Sequence, residues 1–167
     1  MNIHFCLCCG NKLQFLNYEG VLRESCVNCG WVYYPQLKVT AGAIIEKNNR
    51  LFLVQRALSP WKRFWNLPAG FIEDQESPEE AVIREVMEET GLDTTIGNLL
   101  DVLYYTDDPR GNGLVLLYRA KAINGQIKVS KESLDVGFFN QDEIKRLLLA
   151  GGSHDKAIEC WLDGKYA

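Results

Sequence analysis

Residues 38–45 (KVTAGAII) and 51–57 (LFLVQRA) are short apolar runs with β-branched positions on either side of the turn Lys47-Asn48-Asn49. This predicts two strands of a hairpin. After residues 59–66, a loop of aromatic and basic side chains, the period changes. In residues 78–90 the apolar positions Val82, Ile83, Val86 and Met87 share one side of a helix wheel, and Ala81, Glu85, Glu88 and Glu89 share the next arc. Both ends of this helix are marked. Ser77 suits the N-cap, Pro78 the first helical position, and Glu80 completes an S-x-x-E capping box. Gly91 can take the left-handed conformation that stops it.

Alternation returns in 94–105 and 114–122, read as strands around the turn-rich TDDPRGNG, with a further turn at Gly125 and loop over 128–134. A short strand at 135–139 and helices at 141–150 and 154–163 complete the chain. Strands, helix, strands and helices in this order predict an α/β class, with a mixed sheet covered by helices.

Length and composition narrow the class. The 167 residues suffice for one ordinary domain plus a small appendage. A 47% apolar and 24% charged composition is that of a soluble globular protein rather than a disordered one. A net charge of −4 gives no support for nucleic acid as a partner of the whole chain. No run approaches the roughly 20 apolar residues that span a bilayer, and the N-terminus lacks the features of a signal peptide. The expectation is a cytoplasmic protein with no membrane partner. A homodimer is compatible with the sequence, which does not fix the oligomeric state.

Six cysteines in a reducing compartment point to metal before disulfides. Cys6-x2-Cys9 and Cys26-x2-Cys29 are each followed by glycine, and two such turns can present four thiolates to one structural Zn²⁺. The pattern resembles a zinc ribbon, with two disulfides as the alternative. Cys8 could compete as a ligand, and its role stays open; Cys160 reads as an ordinary half-buried side chain. The intervening KLQFLNYEGVLRES predicts a short hairpin. The aromatics of Trp31-Val32-Tyr33-Tyr34 either bridge to a neighbouring domain or stack on nucleobases. Pro35 marks the expected boundary, giving a ribbon over 1–34 and a larger domain over 35–167.

The acidic arc is the chemical feature. Eight carboxylates stand in residues 70–92 against one base, Arg84. Glu85, Glu88 and Glu89 share a face, and like charges at i,i+3 and i,i+4 destabilise a bare helix. Hard oxygen ligands suit Mg²⁺ or Mn²⁺, whose binding reverses that repulsion. The alternative, a solvated face paired to bases, fits poorly because the helix offers only Arg84.

These residues match a family. Gly70, Glu76, Arg84-Glu85-Val86, Glu88-Glu89, Gly91 and Leu92 occupy every fixed position of G-x5-E-x7-R-E-U-x-E-E-x-G-U, where U is aliphatic. The stretch resembles the Nudix box. The resemblance covers residue 38 to about residue 149. It implies an α/β/α sandwich and hydrolysis of nucleoside diphosphates linked to another moiety. It implies Glu85, Glu88 and Glu89 as metal ligands and catalytic residues, joined by the Gly70 carbonyl, with Glu76 and Arg84 as a structural pair. The general base would be Glu85 or Glu132. Neither His4 nor His154 is given a role.

A ribbon ahead of a Nudix domain resembles NADH pyrophosphatases and a related ADP-ribose and FAD group. The SQPWPFPxS array of the former is absent, and WNLPAGFIE followed later by ESLD resembles the latter group. Pro109 lies near the spacing of a proline found in ADP-ribose hydrolases, a weak marker. The expected substrate is a small nucleotide, ADP-ribose or FAD before NADH, cleaved to release AMP. Arg56, Trp61, Tyr105 and Arg110 are the candidate substrate contacts, while Trp65 is expected in the core. A (d)NTP or RNA-cap pyrophosphatase and a non-hydrolytic nucleotide sensor are the alternatives.

Overall fold

The computed structural model describes residues 4–166. It divides into two compact units, Met1–Gln36 and Leu37–Ala167. In the first, β1 (Gln14–Tyr18) and β2 (Val21–Ser25) form an antiparallel hairpin with Gln14 opposite Ser25. Cys6, Leu13 and Cys26 make its small core, with Trp31 and Tyr33 packed against them. All five β1 residues are exposed, so packing against a sheet face contributes little to this hairpin. A unit this small buries too little apolar surface to be stable without a staple.

The second unit is built on β3 (Lys38–Lys47), β4 (Arg50–Arg56), β5 (Trp65–Asn66), β6 (Ala69–Phe71), β7 (Leu92–Tyr105), β8 (Gly113–Gly125) and β9 (Ser133–Phe139). They form a sheet of order β5-β4-β3-β8-β7, with β6 also pairing β3 and β9 pairing β4. The β3–β8 pair is parallel and the other pairs are antiparallel, so the sheet is mixed. Asn48 and Asn49, both at positive φ, make the tight β3–β4 turn.

Alternation along the strands sends side chains to two cores, as a sheet covered on both faces requires. Ile44, Leu51 and Leu53 join Ile144, Ile158 and Trp161. Ala43, Ile45, Phe52 and Val54 join Ala81, Val82 and Val86. Helix α1 (Pro78–Thr90) therefore covers one face, and α2 (Gln141–Ile144) and α3 (Ser153–Leu162) cover the other. This is the α/β/α architecture expected from the element order. No helix among the described residues is long and apolar enough to cross a membrane.

Three local expectations are corrected. The helix over 141–150 stops at Ile144. Beyond it, Trp65 N donates to the Leu148 carbonyl and Ala150 N to that of Trp65, both at 2.8 Å. A strand-like pairing to β5 thus satisfies the backbone that a longer helix would have used. Antiparallel pairing with Val54 and Gln55 of β4 makes Trp65 and Asn66 a strand rather than loop, and β9 begins two residues early at Ser133.

Candidate active site and cysteine cluster

The α1 caps are as the sequence predicts. Glu80 N donates to Ser77 Oγ (3.2 Å), Ser77 N donates to Glu80 Oε2 (2.8 Å), and Gly91 closes the helix at φ 74°. Burial of Ala81, Val82 and Val86 fixes the rotation of α1, which turns Glu85 and Glu89 toward β6. Glu89 is only 5% exposed, and its Oε2 accepts from Ala69 N at 3.3 Å. Burial, with the Glu85 charge adding, pushes its carboxyl up to about 8. Burial also raises Glu85, opposed by Arg84.

Arg84 is the organising cation. Its Nε and Nη2 donate to both Glu76 oxygens, at 3.0 and 2.6 Å, in a fork. Its Nη1 reaches Glu85 (2.7 Å) and Glu88 (3.4 Å), and Nη2 also donates to the Phe71 carbonyl. The fork holds Glu76 down at about 2. Gly70 has no room for a side chain, since a Cβ there would lie 1.9 Å from the Glu85 carboxyl carbon.

These carboxylates edge a cavity of about 380 Å³, a size that suits a nucleotide. Gly70, Glu85, Glu88 and Glu89 line it, as do Arg84 and Glu132. So do all four candidate substrate contacts, Arg56, Trp61, Tyr105 and Arg110. Arg110 is clamped by Asp108 (2.6 Å) and lies over the Phe71 ring, 5.1 Å from its centroid. Glu76 is not among the lining residues. Trp65 is buried in the core, edge-on to Phe139.

Among the lining residues with no role assigned from the sequence, three polar ones stand out. Asn66 is buried on β5, Asp107 lies in the loop after β7, and His154 stands in the first turn of α3. The packing around His154, with the Arg56 charge adding, lowers its imidazole to about 4, so it is neutral near pH 7. No spacing rule could have found these residues. They meet through the 148–150 pairing to Trp65, a long-range event.

The donor sets fit two kinds of metal. The oxygen-only group of Glu85, Glu88 and Glu89 suits a hard divalent ion such as Mg²⁺ or Mn²⁺. Their ligand oxygens do not all lie within 4.8 Å of one another. Among the described residues, the one set of three or more ligand atoms within 4.8 Å of each other is Cys6, Cys9, Cys26 and Cys29. Cys6 and Cys29, and Cys9 and Cys26, have Sγ atoms 3.4 Å apart, and all four are free thiols. A tetrahedron of thiolates at the usual Zn–S length has edges of about 3.8 Å, so the cluster could hold zinc. Cys8 is exposed and outside this set; its N–H donates to Cys6 Sγ at 3.4 Å.

Comparison with known proteins places the chain. The NUDIX domain model matches residues 36–162. An ADP-ribose pyrophosphatase from Methanocaldococcus jannaschii is 31% identical over 167 residues, covering 96% of each chain. An NAD-capped RNA hydrolase NudC from Pseudomonas aeruginosa is 30% identical over 86% of this chain, which spans 50% of its length. The crystal structure of a NUDIX hydrolase from Nitrosomonas europaea superposes with a TM-score of 0.84 at 29% identity, covering 97% of this chain and 92% of that one. With the box carboxylates set along its cavity, the chain belongs to the Nudix hydrolase family.

Proposed function

We propose that the protein is a divalent-metal-dependent pyrophosphatase that cleaves ADP-ribose or FAD, with NADH as a further substrate, and releases AMP. One observation carries this reading. A single cavity has the box carboxylates on one side and Arg56, Trp61, Tyr105 and Arg110 around the rest. Anionic metal ligands beside cations and aromatic rings suit a pyrophosphate flanked by planar or sugar groups. The full-length similarity to an ADP-ribose pyrophosphatase supports the choice of substrate.

Glu85, Glu88, Glu89 and the Gly70 carbonyl would hold Mg²⁺ or Mn²⁺. When bound, the metal neutralises phosphate oxygens and lowers the pKa of a coordinated water. The chain's own residues do the positioning. Arg84 holds Glu85 and, through Glu76, ties the β6–α1 loop to the helix. Arg56 and Arg110 supply positive charge for the phosphates, and Trp61 and Tyr105 supply ring faces. Glu85 or Glu132 takes the proton from the attacking water; both line the cavity. In the other unit, Cys6, Cys9, Cys26 and Cys29 hold a structural Zn²⁺ in a ribbon over residues 1–34, with the catalytic domain over 35–167.

A second reading, an RNA-cap or (d)NTP pyrophosphatase, draws on the similarity to an NAD-capped RNA hydrolase. A panel of ADP-ribose, FAD, NADH, NAD-capped RNA and (d)NTPs, assayed with Mg²⁺, separates the two. AMP release from ADP-ribose or FAD is the expected result. Turnover confined to (d)NTPs or capped RNA would replace the first reading with the second. Binding without turnover of any substrate would favour a nucleotide sensor, although every box carboxylate is present in this chain.

A further inference from the structure

Asn66 is 1% exposed and lines the cavity, yet among the described residues neither its Nδ2 nor its Oδ1 has a hydrogen-bond partner. A buried amide with both ends unpaired costs a fold free energy. No group among the described residues offsets this cost, and a ligand that donates to one end and accepts from the other would. The surroundings restrict that ligand. Trp65 N and O bind the backbone of 148–150, which brings Ala150, Gly151, Ser153 and His154 to the wall beside Asn66. The Trp61 indole packs on Gly151, where an added Cβ would come within 3.1 Å of it. His154 is uncharged near neutral pH. Arg56 and the Asp107 carboxylate, which stands against Gly151 and Gly152, are the charged groups of this wall, and the rest presents neutral polar groups and a ring. A phosphate would satisfy Asn66 Nδ2 but place its oxygens against Oδ1.

We propose that Asn66 reads the edge of an adenine ring, its Oδ1 accepting from the exocyclic amine and its Nδ2 donating to the adjacent ring nitrogen. An asparagine amide matches that edge with two hydrogen bonds. The assignment rests on the proposed function, because adenosine monophosphate is the half shared by ADP-ribose, FAD and NADH. One amide would then serve the whole substrate group, whatever the other half is. Asn66 is a specificity residue in this account and takes no part in bond breaking.

The test uses the full-length protein with Mg²⁺ and calorimetric titration with AMP and with purine riboside 5′-monophosphate, which lacks the exocyclic amine. Wild type should bind AMP about tenfold or more tightly, the cost of leaving one buried acceptor unpaired. Asn66→Leu and Asn66→Ala should bind the two nucleotides within about threefold of each other. Thermal unfolding separates this role from a structural one. Removing an amide with no partner among the described residues should leave the midpoint of at least one variant unchanged or raised, whereas a structural Asn66 would lower both. Equal affinity of wild type for the two nucleotides, an AMP preference kept in both variants, or no AMP binding would overturn the proposal. So would Asn66-dependent binding of FMN or nicotinamide mononucleotide in place of AMP. If the AMP preference holds while no diphosphate-linked substrate is turned over, the proposed activity falls and this subsite stands. If ADP-ribose is turned over without the preference, the activity stands and the subsite falls.

Discussion

Gly70 and Glu85 occupy each other's space: a Cβ on residue 70 would fall 1.9 Å from the Glu85 carboxyl carbon and about as close to both of its oxygens. The glycine of the box thus sets where the first carboxylate of its helix can stand. Gly70→Ala should displace Glu85 while leaving the fold intact. A shift of about 1 Å near reacting groups can cost about 100-fold, so kcat/KM should fall by 10- to 100-fold with little change in circular dichroism. Full activity in this variant would show that the Glu85 position is not critical.

Arg84 holds Glu76 with a two-pronged fork and Glu85 with a third nitrogen contact. Lysine keeps the charge but not the planar fork. Arg84→Lys should therefore lower Mg²⁺ affinity and turnover by about 10- to 100-fold, as loss of a ligand-orienting partner usually does. The apparent Mg²⁺ constant from activity titrations checks this. An unchanged constant would mean that charge alone suffices at this position.

Glu89 ties stability to pH. Its carboxyl sits at about 8 in the fold, against 4.5 ordinarily. Between those values the folded protein holds a proton that the unfolded chain has released, so stability falls as pH rises through the window. His154, lowered to about 4 from 6.5, works in the opposite sense, but only below about pH 6.5. Without added divalent ion, the urea midpoint should fall from about pH 6.5 to about pH 8, and Glu89→Gln should flatten the slope. A midpoint that rises over that interval would contradict the burial of Glu89.

The cysteine cluster should carry one zinc per chain, measured by elemental analysis of purified protein. Cys26→Ser should lose the metal and open residues 4–36 to limited proteolysis, because the core of that unit is only Cys6, Leu13 and Cys26 with two flanking aromatics. Retained protection without zinc would show that this unit does not need the ion to fold.

The sequence was most legible where structure is local. The α1 boundaries follow from Ser77, Pro78, Glu80 and Gly91, which act within one turn of themselves. The β3–β4 hairpin follows from its asparagine turn, and the two cysteine pairs follow from their spacing. The helical period also placed Val82 and Val86 in the core and Glu89 beside them, but Ile83 and Met87, on the same predicted side, are exposed, and Ala81 from the acidic arc is buried instead. It could not show that Ala69 N would meet Glu89, or that Arg84 would span three carboxylates. The far wall was legible only in Arg56 and Trp61. Residues 141–150 have helical pattern, but pairing of 148–150 with Trp65 overrides it. That pairing brings His154, a lone histidine without a motif, beside Asn66, which reads in sequence as the end of a loop.

The central claim is that the box glutamates bind the metal on which hydrolysis depends. The most direct measurement is the rate of AMP formation from ADP-ribose, followed chromatographically with and without Mg²⁺, for wild type, Glu85→Gln and Glu89→Gln. The account predicts Mg²⁺-dependent AMP release by wild type and a loss of about 100-fold or more in both variants. AMP released at the same rate without divalent ion, or with either glutamate replaced, would contradict it.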